Sequence, residues 1–367
     1  MDRPRSFAFV CALLVAAVVP VHAAEATHPD KIVFSRFAFD PTGPLDYIDL
    51  NRINTDGTGF RQLTPSILYR YRWTPTWSPH GTWIAFSQFT TPTNFRYDIH
   101  IVNNAGDRER QLTIGTGNYQ FPSWSPKGTW IAFKSTELSG KTCVSVVRPD
   151  GTAQHSLFCP PMAVVQPIAP VWTNDGNCVF IAADYLDENG FHRIIAYQVH
   201  LTTGEPVVLA DFGVPSADTL VYFSPGGART LLGSPNTDGI SVINFATGRR
   251  RALSSGHAPV WSPDGRHVAY SLTTLSQDGF EIDDAFAIDF DGTNEHALTT
   301  TPTSTPNIFY TPAAWSPDSR KVLVNRTVYD ANGFPVTRMY IIDATTLART
   351  KLASGTAAPG AWYKPAD

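Results

Sequence analysis

The sequence predicts an all-β protein built from repeated four-stranded units, and three observations support this prediction. An aromatic residue followed by Ser-Pro-x-Gly and a short apolar run recurs along the whole chain. Proline and glycine are frequent, with 29 and 26 residues, and aromatic side chains make up 12%, which is typical of many turns and half-buried strands. Charged residues are only 16% against 43% hydrophobic residues, so the chain has the apolar content of a folded core.

The repeated aromatic residues, called the anchors below, stand roughly 40 to 55 residues apart. The anchors are Trp77, Trp124, Trp172, Phe223, Trp261 and Trp315, with a further Trp362 close to the C-terminus. Ser-Pro-Asp-Gly suits a type I turn, because proline fixes φ at the second position and glycine takes the last. A period of this length indicates an array of units that each bury one face against a neighbour. We therefore expect the anchors to form inter-blade core rather than a ligand site.

A second pattern follows each anchor and its apolar run. An alternating strand leads into another turn, and a short strand that often ends in Leu-Thr comes next, as in 98–102, 104–106 and 111–113. The Asp-Gly and Thr-Gly pairs in these turns are typical of tight hairpins. Each unit therefore has four strands, a to d, which is the blade of a β-propeller.

The two ends of the chain each supply part of one more blade. Residues 31–34, 47–53 and 61–64 are predicted as strands b, c and d, and no strand a precedes them. Residues 360–363 are predicted as a strand a, and only four residues follow. Pairing of these two parts gives seven blades closed by the termini. A six-bladed ring is the alternative.

The anchors resemble the repeat of TolB-type, WD40-like propellers, whose consensus is P-x-W-S-P-D-G followed by an I-A-F strand. The segment 259–265 reads Pro-Val-Trp-Ser-Pro-Asp-Gly, and Ile-Ala-Phe occurs at 84–86 and 131–133. The resemblance covers residues 31–365. It implies one TolB-like propeller over residues 24–367, without the separate N-terminal domain of TolB, in a cell-envelope setting.

Residues 1–23 are predicted to be a secretory signal peptide. Arg3 and Arg5 precede an apolar run over 7–18, and cleavage is expected after Ala23. The alternative is that this segment is retained and anchors the chain in the membrane. The mature chain is therefore expected to be periplasmic or secreted, monomeric and without a membrane span. The formal net charge of -4 argues against the basic surface of a nucleic-acid binder.

The cysteines of the mature chain are Cys143, Cys159 and Cys178. The turn at 148–151 lies between the first two, so a hairpin there places them nearly opposite each other. We predict a disulfide between Cys143 and Cys159, which leaves Cys178 as a free thiol.

No familiar catalytic motif is present. The sequence contains no G-x-S-x-G, no H-E-x-x-H and no C-x-x-C. Among the residues four positions before the anchors, which are expected near the channel mouth, only His257 is a histidine. We therefore predict no catalytic residue, no metal and no cofactor. A polysaccharide-active lyase or hydrolase built on the same ring is the alternative.

Binding is expected on one face of the ring. The b–c and d–a loops are the longer ones and share this face, called the long-loop face, whereas short turns occupy the other. Each Phe that follows an Asn-Gly or Asp-Gly pair in three b–c loops either packs under its loop or forms an exposed rim. The expected partner is a protein or an envelope component, with a glycan as one form of it. The predicted binding residues are Tyr69, Arg70, Tyr71, Arg72, Trp73, Tyr119, Phe191, His257, Phe280, Tyr310 and Phe334.

Overall fold

The computed structural model of the chain is built almost entirely from β-strands. It describes residues 30–39, 46–91, 96–161, 163–186, 192–213, 219–233, 239–304, 307–329, 335–353 and 362–363. Within these ranges a 3₁₀ turn, Pro225–Gly227, accompanies the strands. No helix in the described ranges is long and apolar enough to cross a bilayer. The predicted signal peptide lies outside them.

Most strands pair in chain order, as expected for successive blades. Unit 1 contains β1 (Lys31–Phe39), β2 (Asp46–Asn54) and β3 (Arg61–Gln62), together with β29 (Trp362–Tyr363). Unit 2 contains β4 (Arg72–Trp77), β5 (Trp83–Thr91), β6 (Arg96–Asn103) and β7 (Glu109–Gln111). Unit 3 contains β8 (Asn118–Trp124), β9 (Ile131–Thr136), β10 (Thr142–Val147) and β11 (His155–Phe158).

Unit 4 differs from its neighbours because its first strand is divided in two. It contains β12 (Ala163–Val165), β13 (Val171–Trp172), β14 (Cys178–Leu186), β15 (His192–His200) and β16 (Pro206–Asp211). Both β12 and β13 pair with β14. Unit 5 contains β17 (Leu220–Phe223), β18 (Arg229–Gly233), β19 (Ile240–Asn244) and β20 (Arg250–Ser254).

The last two units form one continuous sheet. Unit 6 contains β21 (His257–Trp261), β22 (His267–Leu275), β23 (Glu281–Asp289) and β24 (His296–Ala297). Unit 7 contains β25 (Ile308–Trp315), β26 (Lys321–Tyr329), β27 (Pro335–Asp343) and β28 (Arg349–Ala353). A parallel bridge between Asp283 and Phe309 joins them. The predicted all-β propeller architecture is confirmed, whereas the number of seven blades stays a prediction, supported by these successive sets of strands.

The Ser-Pro-x-Gly turns are held by two recurring hydrogen bonds. In the first turn the Gly81 amide donates to the Ser78 carbonyl at 2.9 Å, and the Trp83 amide donates to Ser78 Oγ at 3.0 Å. The side-chain bond also forms at Ser125, Thr173, Ser224, Ser262 and Ser316. Where glycine is missing, Ser319 itself adopts the left-handed region with φ of 59°. The repeated hydroxyl is therefore part of the turn.

The anchors are inter-blade core, as predicted. All seven anchors are buried. The indole of Trp172 donates to the Ser123 carbonyl of the preceding unit at 3.0 Å, and that of Trp261 donates to the Tyr222 carbonyl at 2.8 Å. Trp124 and Trp315 make the same bond. Each of these four indoles thus fills an interface and also satisfies a backbone carbonyl there.

The Leu-Thr ends of the outer strands have a structural role as well. Thr113 Oγ1 accepts a hydrogen bond from the Ile99 amide at 3.0 Å and donates to Asp98 at 3.1 Å. Thr299 Oγ1 does the same with the Ala285 amide and Asp284, at 2.9 and 2.7 Å. At the end of strand d, the threonine hydroxyl accepts the hydrogen bond that a strand-c amide would otherwise donate to a backbone carbonyl. These two aspartates are therefore held within their own blades.

The C-terminal strand completes unit 1, as the sequence pattern predicts. Trp362 pairs with Ile32 and Tyr363 pairs with Lys31 in β1. The Tyr363 ring lies 5.3 Å from the Trp77 ring of unit 2, measured between centroids. It also contacts Gly81, where an added Cβ would lie 2.2 Å from the ring. The strand is therefore packed on both of its faces.

A disulfide joins Cys143 and Cys159 in unit 3, and Cys178 is free. We expect unfolded, unreduced mature protein to give one thiol in a thiol count, and reduced protein to give three. Replacing both bonded cysteines by serine should lower the free energy of unfolding by about 3 kcal/mol, because the bond closes a short loop in the unfolded chain. Urea denaturation measures this loss. Three thiols before reduction would contradict the pairing.

Candidate ligand-binding site

The residues predicted for the long-loop face differ in exposure. Tyr69 and Phe280 are 42% and 48% exposed, so Phe280 forms an exposed rim rather than packing under its loop. The residues Arg70, Tyr71, Trp73, His257 and Tyr310 are half-buried. Phe191 and Phe334 lie outside the described residues. Arg72 and Tyr119 are buried and are treated separately below.

Arg72 is fully buried between units 1 and 2. This corrects its prediction as a residue of the binding surface. Its Nε donates to Gln88 Oε1 at 2.8 Å, and its Nη1 donates to the Pro65 carbonyl at 3.0 Å. Its guanidinium lies 3.5 Å from Asp49 in unit 1 and 3.8 Å from Glu109 in unit 2. The side chain therefore joins two blades and has no surface to offer a partner.

The surroundings of Arg72 shift the ionisation of its partners. Burial raises the pKa of Asp49, and the hydrogen bond from Ser66 and the charge of Arg72 offset only part of this. Burial also raises the pKa of Glu109, but the hydrogen bond with His100 and the charge of Arg72 outweigh it and hold the pKa below its ordinary value. The group is thus a buried charge network, in which the pKa of each carboxyl depends on the charge of Arg72 and on its hydrogen-bond partners.

His257 belongs to a smaller polar group in unit 6. Its Nε2 lies 3.4 Å from Asp283 Oδ2, and Thr273 Oγ1 donates to Asp283 Oδ1 at 2.7 Å. In unit 7 the guanidinium of Arg326 lies 6.0 Å from the centre of the Tyr310 ring. Both contacts are made within single units.

A cavity of about 500 Å³, called the serine cleft, lies on unit 3. The d–a loop at 115–117 and the b–c turn at 137–139 line it, so part of its wall belongs to the long-loop face, and residues 154–156 after the c–d turn line another part. Its volume falls within the range of small-molecule sites, roughly 300–1,000 Å³. The lining residues are Gly115, Thr116, Gly117, Tyr119, Ser135, Thr136, Glu137, Leu138, Ser139, Ser145, Gln154, His155 and Ser156.

Three serine hydroxyls form a connected chain in the cleft. Ser135 Oγ on β9 lies 2.6 Å from Ser145 Oγ on β10, which lies 3.1 Å from Ser156 Oγ on β11. Ser135 and Ser145 are buried, and Ser156 is exposed. The chain therefore runs from the inside of the blade to its surface, and each bond polarises the next.

The loop at the cleft is fixed by two neighbouring side chains. Gln154 accepts from the Ile114 amide at 2.7 Å and donates to the Ile114 carbonyl at 3.1 Å. The Tyr119 hydroxyl donates to the same carbonyl at 3.3 Å. An added Cβ would lie 2.7 Å from the Tyr119 hydroxyl at Gly115 and 3.0 Å from its ring at Gly117. Glycine at these positions lets the tyrosine form the wall.

The cleft contains two further groups that can bind or exchange protons. Glu137 accepts a bond from Ser139 at 3.3 Å and lies 3.9 Å from Lys141 Nζ. His155 Nδ1 donates to the Ala153 carbonyl at 2.8 Å, because a carbonyl only accepts. In the neutral ring Nε2 then keeps its lone pair. No arginine or lysine stands among the described lining residues.

One cluster of metal-ligating atoms occurs within the described residues. It consists of Glu137, Cys143 and Cys159, whose atoms lie within 4.8 Å of one another. Both sulfur atoms are already joined in the disulfide, so neither is a thiolate. The donor set does not fit a metal ion.

Sequence reasoning placed Tyr119 on the long-loop face, and the structure places it in the cleft wall. It missed Ser135, Ser145 and Ser156, which come from three different strands. The available signal was a serine on each of three successive strands of one blade, where unit 2 carries Gln88, His100 and Gln111 instead. No motif spacing links these serines.

The comparisons with solved structures bear on the fold. TolB from Acinetobacter baumannii is 15% identical, with a TM-score of 0.50, and the match covers 90% of this chain and 82% of that one. The fold is that of a TolB-like propeller. The propeller is also similar to an oligogalacturonate lyase in complex with manganese, at 14% identity and a TM-score of 0.60, over 91% of this chain and 86% of that one.

A longer protein contains a similar propeller. Puromycin hydrolase is 13% identical with a TM-score of 0.64, and the match covers 95% of this chain. The propeller spans only 55% of the length of that protein. No protein-family model matches the chain, and no curated protein does either.

Proposed function

We propose that this chain is a non-catalytic binding propeller of the periplasm or the extracellular space, which takes a ligand in the serine cleft of its long-loop face. The observation that carries the proposal is the cleft itself. It combines a cavity of about 500 Å³ with a fixed loop and hydroxyls that point into it. Loops on a rigid scaffold are common positions for binding sites. The compartment rests on the predicted signal peptide.

The residues of the cleft support binding rather than a reaction. The three serines of the hydroxyl chain are hydrogen-bonded to one another. None of them makes a described hydrogen bond to Glu137 or His155, and Glu137 accepts from the exposed Ser139 at a long 3.3 Å. An activated serine needs a hydrogen-bonded base. The hydroxyl chain therefore suits recognition, and the ligand is expected to be recovered unchanged.

The test fills the cleft from its exposed side. The mature protein is screened against a panel of oligosaccharides, neutral and acidic, and of peptidoglycan fragments. For each probe that binds, Ser156→Trp should weaken affinity by about thirtyfold or more, because loss of a central contact commonly costs about 2 kcal/mol. Calorimetric titration measures the affinity, and mass spectrometry of the recovered probe measures turnover.

A matched control separates blocking from unfolding. Val208 occupies the corresponding position of the outer strand in unit 4 and is 59% exposed. Val208→Trp should leave affinity unchanged within about twofold. Lys127→Ala and Asp264→Ala, on the short-turn face, should do the same. Unchanged affinity of Ser156→Trp for every bound probe would reject the cleft as the site.

A further inference from the structure

We infer that the ligand of the serine cleft is an uncharged carbohydrate. This inference rests on the proposed function and adds the chemical class of the ligand. Three properties of the lining residues carry it, namely their charge, their hydrogen-bonding capacity and the apolar surface at the rim.

The charge of the cleft is unfavourable for anions. Glu137 is the one carboxylate among the described lining residues, and neither lysine nor arginine accompanies it there. Lys141, outside the lining, lies 3.9 Å from Glu137 and compensates that carboxylate alone, so a uronate or phosphate would bring a second negative charge without a cation of its own. Sites for such groups normally contain arginine or lysine. The cleft therefore selects against acidic sugars.

The hydroxyl chain matches a ligand that both donates and accepts. In a chain of three hydroxyls, rotation of each hydrogen converts the exposed end at Ser156 from donor to acceptor. Sugar hydroxyls have the same double capacity, so either direction of the chain forms a bond. Glu137 adds two oxygens that only accept. Its contacts to Ser139 and Lys141, at 3.3 and 3.9 Å, leave capacity for ligand hydroxyls.

The rim adds an apolar contact. Leu138 is 83% exposed at the tip of the b–c turn and lines the cleft. An exposed leucine beside a row of hydroxyls suits a ligand with polar edges and an apolar C–H face, which is the form of a pyranose ring. Small-molecule sites combine apolar surface with a few placed polar groups in this way.

The test compares neutral and acidic sugars that differ only in a carboxylate. The probes are trisaccharides of glucose, galactose and mannose, each beside its uronate counterpart. At least one neutral member should bind, and about tenfold more tightly than its uronate. Glu137→Gln should weaken the neutral sugar about tenfold, because a charged acceptor is replaced by an amide, and should strengthen the uronate. Opposite changes for two probes do not arise from unfolding.

The possible outcomes separate this inference from the proposed function. Tighter binding of a uronate, or binding of no neutral member while another probe is blocked by Ser156→Trp, overturns the carbohydrate inference and leaves the cleft as the site. A glucosamine trisaccharide serves as a cationic probe, and tighter binding of it than of the neutral sugars also overturns the inference, because Glu137 would then bind an ammonium group. A neutral sugar that binds Ser156→Trp as well as the wild type overturns the proposed function instead.

Discussion

Removal of residues 356–367 is expected to unfold the propeller or to bring it close to unfolding. The deletion removes Trp362 and Tyr363, which are 5% and 9% exposed in the cores on either side of unit 1. Loss of each large aromatic costs about 3–5 kcal/mol, and a domain has only about 5–15 kcal/mol in total. The deletion also frees the edge of β1, which invites aggregation. Thermal and urea unfolding measure the effect.

A shorter deletion makes this prediction specific to the closing strand. Removal of residues 364–367 alone keeps β29 and should leave the melting temperature almost unchanged. If the longer deletion melts like the full chain, closure by the C-terminus is wrong.

A point substitution tests the same contact. Gly81 and Gly265 hold the same turn position, with φ of 62° and 67°. A Cβ at Gly81 meets the Tyr363 ring at 2.2 Å, whereas a Cβ at Gly265 meets no described atom within 4 Å. Gly265→Ala should lower the free energy of unfolding by roughly 1–2 kcal/mol, which is the cost of a left-handed backbone for alanine. Gly81→Ala should lower it by clearly more.

The second large effect is expected at Arg72. Arg72→Met should lower the free energy of unfolding by about 3–5 kcal/mol, because it leaves Asp49 and Glu109 partly or fully buried without their shared cation. Arg108→Met, at an exposed position, should change it by less than about 0.5 kcal/mol. Urea denaturation of both variants measures the difference.

A compensating variant distinguishes charge from packing at this position. If the cost of Arg72→Met comes from unpaired carboxylates, adding Asp49→Asn and Glu109→Gln should recover a large part of the lost stability. Recovery of none of it would assign the cost to packing alone. A stable Arg72→Met single variant would show that the network does not join units 1 and 2.

The fold could be predicted because its signals are local or periodic. Ser-Pro-x-Gly predicts a turn because proline and glycine favour the φ values that the turn requires. The structure adds the reason for serine, since the Ser78 hydroxyl accepts a hydrogen bond from the Trp83 amide. A repeated aromatic anchor predicts an interface between neighbouring blades, because every blade packs against the next in the same way. The closing strand was readable because one unit lacked a strand and the C-terminus offered one, in Trp362. The bonded cysteines were readable from a single hairpin.

The candidate site was decided by packing between segments that no repeat relates. Arg72 stands beside exposed Tyr69 in the chain, and only the docking of unit 1 on unit 2 shows that Asp49 and Glu109 enclose it. The serine cleft depends on the register of three strands, which brings Ser135, Ser145 and Ser156 into one row. The repeat pattern predicts which strand or turn of its own blade a residue belongs to. The charge and hydroxyl partners that make a site come from other strands or blades, and their identity depends on the tertiary structure.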